Sequence, residues 1–512
     1  MIPLLVLLLA APAQERDAHG WLVRAQQYYQ QQEWSESEAA ARKALALDPR
    51  LGGAEVLLGW IATNAADLPR AEEHFAKAVA LAPRDPRAIG YLASTHLALK
   101  RVDEAASGFE QVLRLDPGNA TALYNLGAIA LLRARPDQAL PRFRDVLRSR
   151  PQDAAALTGA LESELLLHQS EEARRSAAAL EAVLGPKDLR LLQAAALLGE
   201  HGEHVAAIGI LARMRAALPE SYETAYNLAL AYYRAGRYEP AAGCLRQWLE
   251  PARKAEPWNL LGAIEEKRGR GVEALAAYRK AAQLEPGNED YRLDAASHAL
   301  QQESVEAALA AFTGCVRDFP ASWRMHLGLG AVEYLAGDYD AAARVLLETV
   351  AMNPDAAAGF FLLGKAYESA PAWQPRILDA LRGYTQGHRD PWAEYHVGTI
   401  LMARAQQTGP SGRTQARAHI ERALALRPDF AEAQVALAAL EDEAGRPEQA
   451  RRLLARAVEL DPRLAAAHYK LGLLYQRNGQ ADLARNELRL FQELKAESKT
   501  RDRNAILHSL PR

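Results

Sequence analysis

The most metal-like cluster in the sequence is His201-Gly202-Glu203-His204, where two imidazoles and a carboxylate lie within four residues. Zinc accepts such nitrogen and oxygen ligands, but it takes three or four of them from the protein. Two histidines without further close ligands seldom hold a metal, and polar residues are common in turns between helices. We interpret the cluster as a solvated turn and predict no metal site.

Signatures of catalysis are also missing from the sequence. Gly328-Leu329-Gly330 lacks the third glycine of a loop that cradles phosphate. Neither a nucleophile elbow nor a His-Glu-x-x-His motif occurs. We therefore predict that the chain is not an enzyme, that it has no catalytic residues and that it uses no cofactor.

The charge pattern argues against nucleic acid as a ligand. The 512 residues carry a net charge of −3, and both signs are spread along the whole chain. A nucleic-acid binder usually shows a basic stripe, because phosphate contacts dominate its affinity. We therefore predict no nucleic-acid partner.

The composition also indicates the source of the protein. Of the 61 basic residues only 11 are lysine. That bias is typical of GC-rich bacterial genomes, so we predict a bacterial protein.

The first residues have the layout of a secretory leader. Residues 2–11 are apolar, Ala11-Pro12-Ala13 supplies small residues for cleavage, and polar residues follow at once. The apolar run is shorter than the ~20 residues of a membrane-spanning helix, and it has no basic residue before it. We predict a signal peptide at 1–13 and a periplasmic or secreted mature chain with no membrane span and no lipid-modified cysteine. The alternatives are a frayed apolar start or a wrongly assigned initiation codon, with a cytoplasmic chain.

A 34-residue repeat supplies the elements that must position any site. Prolines lie at 49, 83, 117 and 151, and the phase returns at 219, 286, 320, 354, 428 and 462. One unit shows the pattern between prolines: Gly127 is followed by Ala139, Phe143 and Pro151. A glycine lets two helices approach closely, and a large residue on the facing helix fills the gap. Glycines at 236, 269, 337, 445 and 479 are predicted to form the turns inside repeats.

These residues resemble the tetratricopeptide repeat family, and the resemblance covers about 18–495 in some fourteen units. It implies an all-α fold, a right-handed α-solenoid superhelix of helix-turn-helix repeats. It also implies that the chain binds another protein or an extended peptide along the concave surface formed by the first helices. Neither the partner's identity nor the oligomeric state can be read from the sequence.

The repeats are not equally regular. Residues 18–356 are predicted to hold ten repeats, although the fifth has a weak signature. Residues 357–430 are predicted to hold two irregular repeats, with a proline-flanked loop at 370–375 and an insertion at 406–413. Two further repeats span 431–495, and 496–512 form a tail that is either a disordered end or a last helix capping the array.

The family's inward-facing positions are the second, fifth, ninth and twelfth of each repeat. Aromatic rings there offer a large contact area and a polar edge for a ligand. The predicted peptide-binding residues are Tyr29, Trp60, Tyr124, Tyr226, Tyr233, Asn259, Tyr334, Phe361, Trp392, Tyr395 and Tyr469. The alternative is that these side chains pack between adjacent repeats.

Some family members hold a partner's C-terminal carboxylate with an asparagine and basic residues of neighbouring repeats. Asn125, Asn227 and Asn259 occupy suitable places, but the matching lysines and arginines are absent from the neighbouring repeats. We predict no intact clamp. The sequence thus predicts a non-enzymatic interaction scaffold of the bacterial cell envelope. The alternative is a regulatory or substrate-presenting subunit of an envelope enzyme or assembly complex, such as a glycosyltransferase.

Overall fold

The computed structural model describes residues 17–249 and 254–509, except for the side chains at 406–409, 496, 498–502, 508 and 509. Every regular element within these ranges is helical. The predicted all-α fold, a solenoid of helix pairs, is confirmed. The predicted signal peptide at 1–13 lies outside the described residues. None of the described helices combines the length and the apolar character needed to cross a bilayer.

The chain divides into two compact units, and the first of them ends at Cys244. Its helices follow one another as antiparallel pairs, one pair for each repeat. They are α1 Ala18–Gln30, α2 Trp34–Leu47, α3 Gly52–Asn64, α4 Leu68–Leu81, α5 Pro86–Ala98, α6 Val102–Leu115, α7 Ala120–Leu132, α8 Pro136–Ser149, α9 Ala154–Leu166, α10 Ser170–Leu184, α11 Leu191–Glu200, α12 His204–Ala217, α13 Tyr222–Arg234 and α14 Tyr238–Leu245.

The second unit begins at Leu245. Short 3₁₀ turns lie at Arg246–Trp248 and Pro371–Trp373. Its helices are α15 Glu256–Lys267, α16 Gly271–Leu284, α17 Glu289–Gln302, α18 Val305–Asp318, α19 Trp323–Ala336, α20 Tyr339–Met352, α21 Ala357–Ala366, α22 Gln374–Gly387, α23 Pro391–Leu426, α24 Ala431–Glu443, α25 Pro447–Leu460, α26 Ala465–Arg477 and α27 Ala481–Ser509.

Small residues on first helices meet large residues on second helices, as the repeat pattern predicts. A Cβ added to Gly127 would lie 2.9 Å from the ring of Phe143, and one added to Gly262 would lie 2.7 Å from the ring of Tyr278. Phe143 is almost fully buried. The glycine therefore sets the distance between the two helices of a pair, and the register of the repeats is confirmed.

The turn inside each pair needs one residue in the left-handed conformation. The five glycines predicted for these turns all have positive φ, between 70° and 85°. In the first five repeats the same place is taken by other residues, for example Ala66 at φ 58° and Ala134 at φ 53°. A residue with a Cβ pays roughly 1–2 kcal/mol for this conformation. The early turns therefore carry strain that the later turns avoid.

The insertion in the twelfth repeat reverses the chain inside α23. Residues 394 and 419 would be about 37 Å apart in a straight helix, yet Nδ1 of His419 lies 2.6 Å from a carboxylate oxygen of Glu394. A Cβ on Gly398 would also touch Ile420. The two halves of α23 are thus antiparallel and pack as a repeat pair, with the predicted insertion between them.

Residues after 495 continue the last helix. The second helix of the last repeat, α27, spans 29 residues and ends at Ser509, whereas α25 of the preceding repeat spans 14. A helical extension, and not a disordered end, therefore follows the repeat as far as the described residues go.

Candidate functional site

The first unit holds a row of rings that pack on one another from repeat to repeat. The ring centroids of Tyr29 and Trp60 are 5.9 Å apart, and those of Trp60 and Tyr91 are 5.3 Å apart. Asn64 donates a hydrogen bond of 2.9 Å to the hydroxyl of Tyr29. We call Tyr29, Trp60 and Tyr91 the aromatic row. Its rings pack between neighbouring first helices, which matches the alternative that such side chains pack between adjacent repeats. The role of Tyr29 and Trp60 in binding stays a prediction.

The other predicted residues of the first unit lie apart from the aromatic row. Tyr124 packs edge-on against Phe143 and lines a cavity of about 510 Å³. Tyr226 and Tyr233, both on α13, pack against neighbouring tyrosines at centroid distances of 5.8 and 5.9 Å. The structure therefore does not gather these three residues into one site.

The second unit brings three predicted residues together around a larger cavity. Phe361, Trp392 and Tyr395 line a space of about 620 Å³ together with His396. The ring of Trp392 lies at the centre, 5.0 Å from Phe361 and 5.8 Å from Tyr395 between centroids. We call these four residues and the cavity the aromatic pocket.

A helix cap and a buried ring hold Trp392 in place. The carboxylate of Asp390 accepts a 2.8 Å hydrogen bond from the backbone N–H of Ala393, and this cap fixes the first turn of α23. The fully buried ring of Phe430 packs edge-on against Trp392 at 4.6 Å. The guanidinium of Arg427 lies 3.6 Å from the Phe430 centroid. Trp392 thus packs against Phe430 and also lines the pocket.

His396 is a buried polar group in the wall of the pocket, and the sequence reasoning missed it. Burial, followed by the nearby charge of Lys365, lowers its pKa to about 3, so the imidazole is neutral at physiological pH. Its Nε2 has no hydrogen-bond partner among the described residues. A Cβ added to Gly364 would lie 2.2 Å from the ring. Gly364 is the eighth residue of its repeat, a place where a small residue faces a bulky one. Its position is the one sequence signal that could have pointed to the His396 ring.

The rim of the pocket combines neutral and charged groups. Burial, and then the carboxylates of Glu432 and Glu368, raise the pKa of Tyr395 to about 12, so its phenol remains protonated. The ammonium of Lys365 lies 5.8 Å from the centroid of Phe361, and Arg463 also lines the cavity. The pocket thus offers apolar ring faces, a phenol, a neutral imidazole and charges of both signs.

The remaining predicted residues of the second unit lie outside the pocket lining. Tyr334 packs edge-on against Tyr339 at 5.2 Å, and Tyr469 packs against Phe491 at 4.9 Å. Asn259 has a buried Oδ1 without a hydrogen-bond partner among the described residues. These contacts match the alternative reading, in which such residues pack within the array. Their role in binding stays a prediction.

The side chains considered for a carboxylate clamp are engaged within their own helices. Asn125 and Asn227 each donate a 2.8 Å hydrogen bond to a backbone carbonyl four residues earlier. Their amides therefore form part of the helix surface and not an array of donors aimed outward. Across the described residues, no three His, Cys, Asp or Glu side chains are grouped so that they could hold a metal ion.

Comparison with known proteins yields matches to repeat families and to repeat structures. Models described as "Tetratricopeptide repeat" match residues 22–86, 56–120, 96–161, 200–264, 293–357 and 336–384, and one described as "TPR repeat" matches 443–479. None of the curated proteins matches the sequence.

Three solved structures illustrate what this chain is similar to. A tetratricopeptide repeat protein from Parabacteroides merdae is 18% identical, with 48% of this chain and 97% of that chain covered and a TM-score of 0.35. PilF from Pseudomonas aeruginosa is 20% identical, with coverages of 41% and 96% and a TM-score of 0.36. The APC/C hetero-tetramer Cut9–Hcn1 is 14% identical, with 97% of each chain covered and a TM-score of 0.32.

The family matches fall on the same repeats whose glycines, turns and helix pairs are seen in the structure. The first match begins within α1 of the first unit, and the last one includes α26 of the second. The chain belongs to the tetratricopeptide repeat family.

Proposed function

We propose that this scaffold is non-catalytic and that its aromatic pocket holds a segment of a partner protein in a bacterial cell envelope. Tetratricopeptide repeats support a protein-interaction role in general. The observation that carries the more specific proposal is the grouping of Phe361, Trp392 and Tyr395 around one cavity of about 620 Å³. Rings at an interface bury a large area at low side-chain entropy cost, and such residues dominate binding energy.

The chemistry of the pocket defines what the partner segment must present. An apolar or aromatic side chain fits against the faces of Phe361 and Trp392. The protonated phenol of Tyr395 and the neutral imidazole of His396 supply hydrogen bonds to the backbone or to a polar atom beside that side chain. Charges of both signs at the rim favour a partner segment that is itself mixed in charge.

Affinity capture with a matched pair of variants tests the proposal. A tagged chain is used to capture proteins from the native envelope fraction, and the same is done with Tyr395→Ala and with Tyr29→Ala. Both tyrosines are half-buried and lie on first helices, but only Tyr395 lines the pocket. Loss of an anchor costs about 2 kcal/mol, or about 30-fold in affinity.

We expect Tyr395→Ala to lose the partner and Tyr29→Ala to keep it, with both variants folded by circular dichroism. A partner that both variants retain equally would contradict the assignment of the pocket. The captured protein also decides between the two functions that the sequence allows. An envelope enzyme bound in stoichiometric amount would favour a regulatory or substrate-presenting subunit.

The envelope location rests on the composition of residues 1–13 and has its own test. The full-length chain is expressed in a bacterial host, and the N-terminus of the protein in each fraction is sequenced. Cleavage after Ala13 and recovery from the periplasm are expected. An intact Met1 on protein found in the cytoplasm would refute this part of the proposal.

A further inference from the structure

The last helix reaches far beyond the repeat to which it belongs. Its first half packs against α26, where a Cβ on Gly472 would lie 2.9 Å from Leu488. The helix is about 15 residues longer than other second helices, which corresponds to about 22 Å. The extension returns to helices that precede it by about 200 residues within the same unit.

One aliphatic side chain of this extension is inserted into the core of the second unit. Ile506 is 1% exposed and belongs to a cluster that also contains Leu293 and Leu300 of α17 and Val397 of α23. The next residue, Leu507, packs against the same cluster while staying partly exposed. We call the side of the second unit that these two adjacent aliphatic residues contact its inner side.

An arginine one turn earlier fixes the end of α17. The guanidinium of Arg503 donates a hydrogen bond of 3.3 Å to the backbone carbonyl of Leu300. That carbonyl lies in the last turn of α17, where backbone acceptors have no partner within the helix. The negative end of the helix dipole also favours a cation there. Arg503 therefore acts as a C-terminal cap from a distant part of the chain.

The same stretch borders the aromatic pocket. Ala505, which lies in sequence between the capping arginine and the buried isoleucine, lines the same cavity as Phe361 and Trp392. We propose that the inner side of the second unit is a helix-binding surface, that the segment 503–507 occupies it as a built-in ligand, and that a partner helix must displace this segment. The partner helix would carry two adjacent aliphatic residues preceded by a basic residue one turn earlier.

Most of the segment is exposed to solvent. Ile506 is buried, whereas Arg503, Asn504 and Ala505 are exposed and Leu507 is partly exposed. The preceding stretch, 493–503, alternates acidic and basic residues and offers little apolar surface. Such a helix gains most of its stability from packing at its ends, so loss of the Ile506 contact frees the extension without unfolding the repeats.

The experiment measures whether the surface accepts the segment from solution when the built-in copy is weakened. A fluorescein-labelled peptide with the sequence of residues 497–509 is titrated with full-length wild type, Ile506→Asp, Arg503→Ala and the control Leu483→Asp. Leu483 lies on the same helix and is 48% exposed. Fluorescence anisotropy gives the affinity, and a peptide carrying Ile506→Asp serves as the negative probe.

We expect Ile506→Asp to bind the peptide at least tenfold more tightly than wild type or Leu483→Asp, and Arg503→Ala to show a smaller gain. The altered peptide should not bind. Equal binding to all four chains, or no binding to any folded chain, would overturn the proposal. So would a wild-type dimer that Ile506→Asp dissociates, because the surface would then hold the helix of a second copy.

Hydrogen exchange keeps the proposal testable if Ile506→Asp is poorly folded. Amides of 503–509 should be protected in wild type and exchange faster in Arg503→Ala, while those of α25 stay unchanged. Absence of protection in wild type would refute the docking. The inference rests on the proposed function only in treating the pocket side as a binding surface. If no protein is captured from the envelope but the peptide still binds, the proposed envelope partner is rejected and the proposed helix-binding surface is retained.

Discussion

The aromatic row of the first unit and the aromatic pocket of the second are both built from aromatic rings on first helices, with different results. In the row, Tyr29, Trp60 and Tyr91 lie one in each repeat at intervals of 31 residues, and their rings pack on one another. In the pocket, side chains of the two irregular repeats line a cavity of about 620 Å³. The pocket rings are no farther apart than those of the row, with centroid distances of 5.0 and 5.8 Å against 5.9 and 5.3 Å. The cavity, and not the spacing of the rings, therefore distinguishes the two regions.

Two buried carboxylates at equivalent repeat positions also differ in their partners. Glu164 and Glu333 both occupy the eleventh place of a repeat and are both buried. The carboxylate of Glu164 contacts Arg144 at 3.0 Å and accepts a 2.7 Å hydrogen bond from Ser176. In contrast, Oε2 of Glu333 has no partner among the described residues. Glu441, at the eleventh place of another second-unit repeat, is paired with Arg446, so Glu333 is an exception within its own unit.

The largest expected effect comes from overpacking a helix pair of the first unit. Gly127→Trp should destabilise the first unit by about 3 kcal/mol, because a side chain there collides with the buried ring of Phe143. Gly243→Trp is the control, since nothing lies within 4 Å of its added Cβ. Urea unfolding followed by circular dichroism measures both. If the two variants unfold at the same urea concentration, the assigned register is wrong.

A pH-dependent effect of about 2 kcal/mol should distinguish Glu333 from Glu164. Burial raises the pKa of Glu333 from 4.5 to about 7. Because its pKa is higher in the folded chain than in the unfolded chain, the stability that it contributes is full below pH 4.5 and is lost as the pH rises through 7. Glu333→Gln should therefore stabilise the chain at pH 8 and have no effect at pH 4.5.

The corresponding substitution of Glu164 tests the other carboxylate of this comparison. Glu164→Gln should destabilise the chain by about 1 kcal/mol at pH 8, since it weakens the bonds to Arg144 and Ser176. Urea titrations at the two pH values give the free energies of unfolding. A Glu333→Gln variant that is less stable than wild type at pH 8 would show that the carboxylate has a partner in solution.

The smallest effect concerns the turns. Ala66→Gly should stabilise the first unit by about 0.5 kcal/mol, because glycine relieves the left-handed backbone but adds entropy to the unfolded chain. Gly337→Ala should instead destabilise the second unit by about 1 kcal/mol. Thermal melts compare the two substitutions. If both substitutions raise the melting temperature, the left-handed turn conformation does not determine stability at these positions.

The repeat pattern was sufficient to predict the helix pairs, their register and the glycine turns, because each of these depends on residues less than 34 positions apart. It also singled out Phe361, Trp392 and Tyr395, which the structure brings together. It missed His396, because a buried histidine beside Gly364 has no periodic signature. It also missed the contact of Arg503 with Leu300, which joins residues 203 positions apart.

The central claim is that the pocket of the second unit, and not the row of the first, holds the partner. A photo-crosslinking residue is placed at Lys365, on the rim of the pocket, or at Asn64, exposed beside the row. Each chain is irradiated in the native envelope fraction, and crosslinked products are identified by mass spectrometry. The account predicts one dominant product at Lys365 and none at Asn64. The same product at Asn64, or none at Lys365, would contradict it.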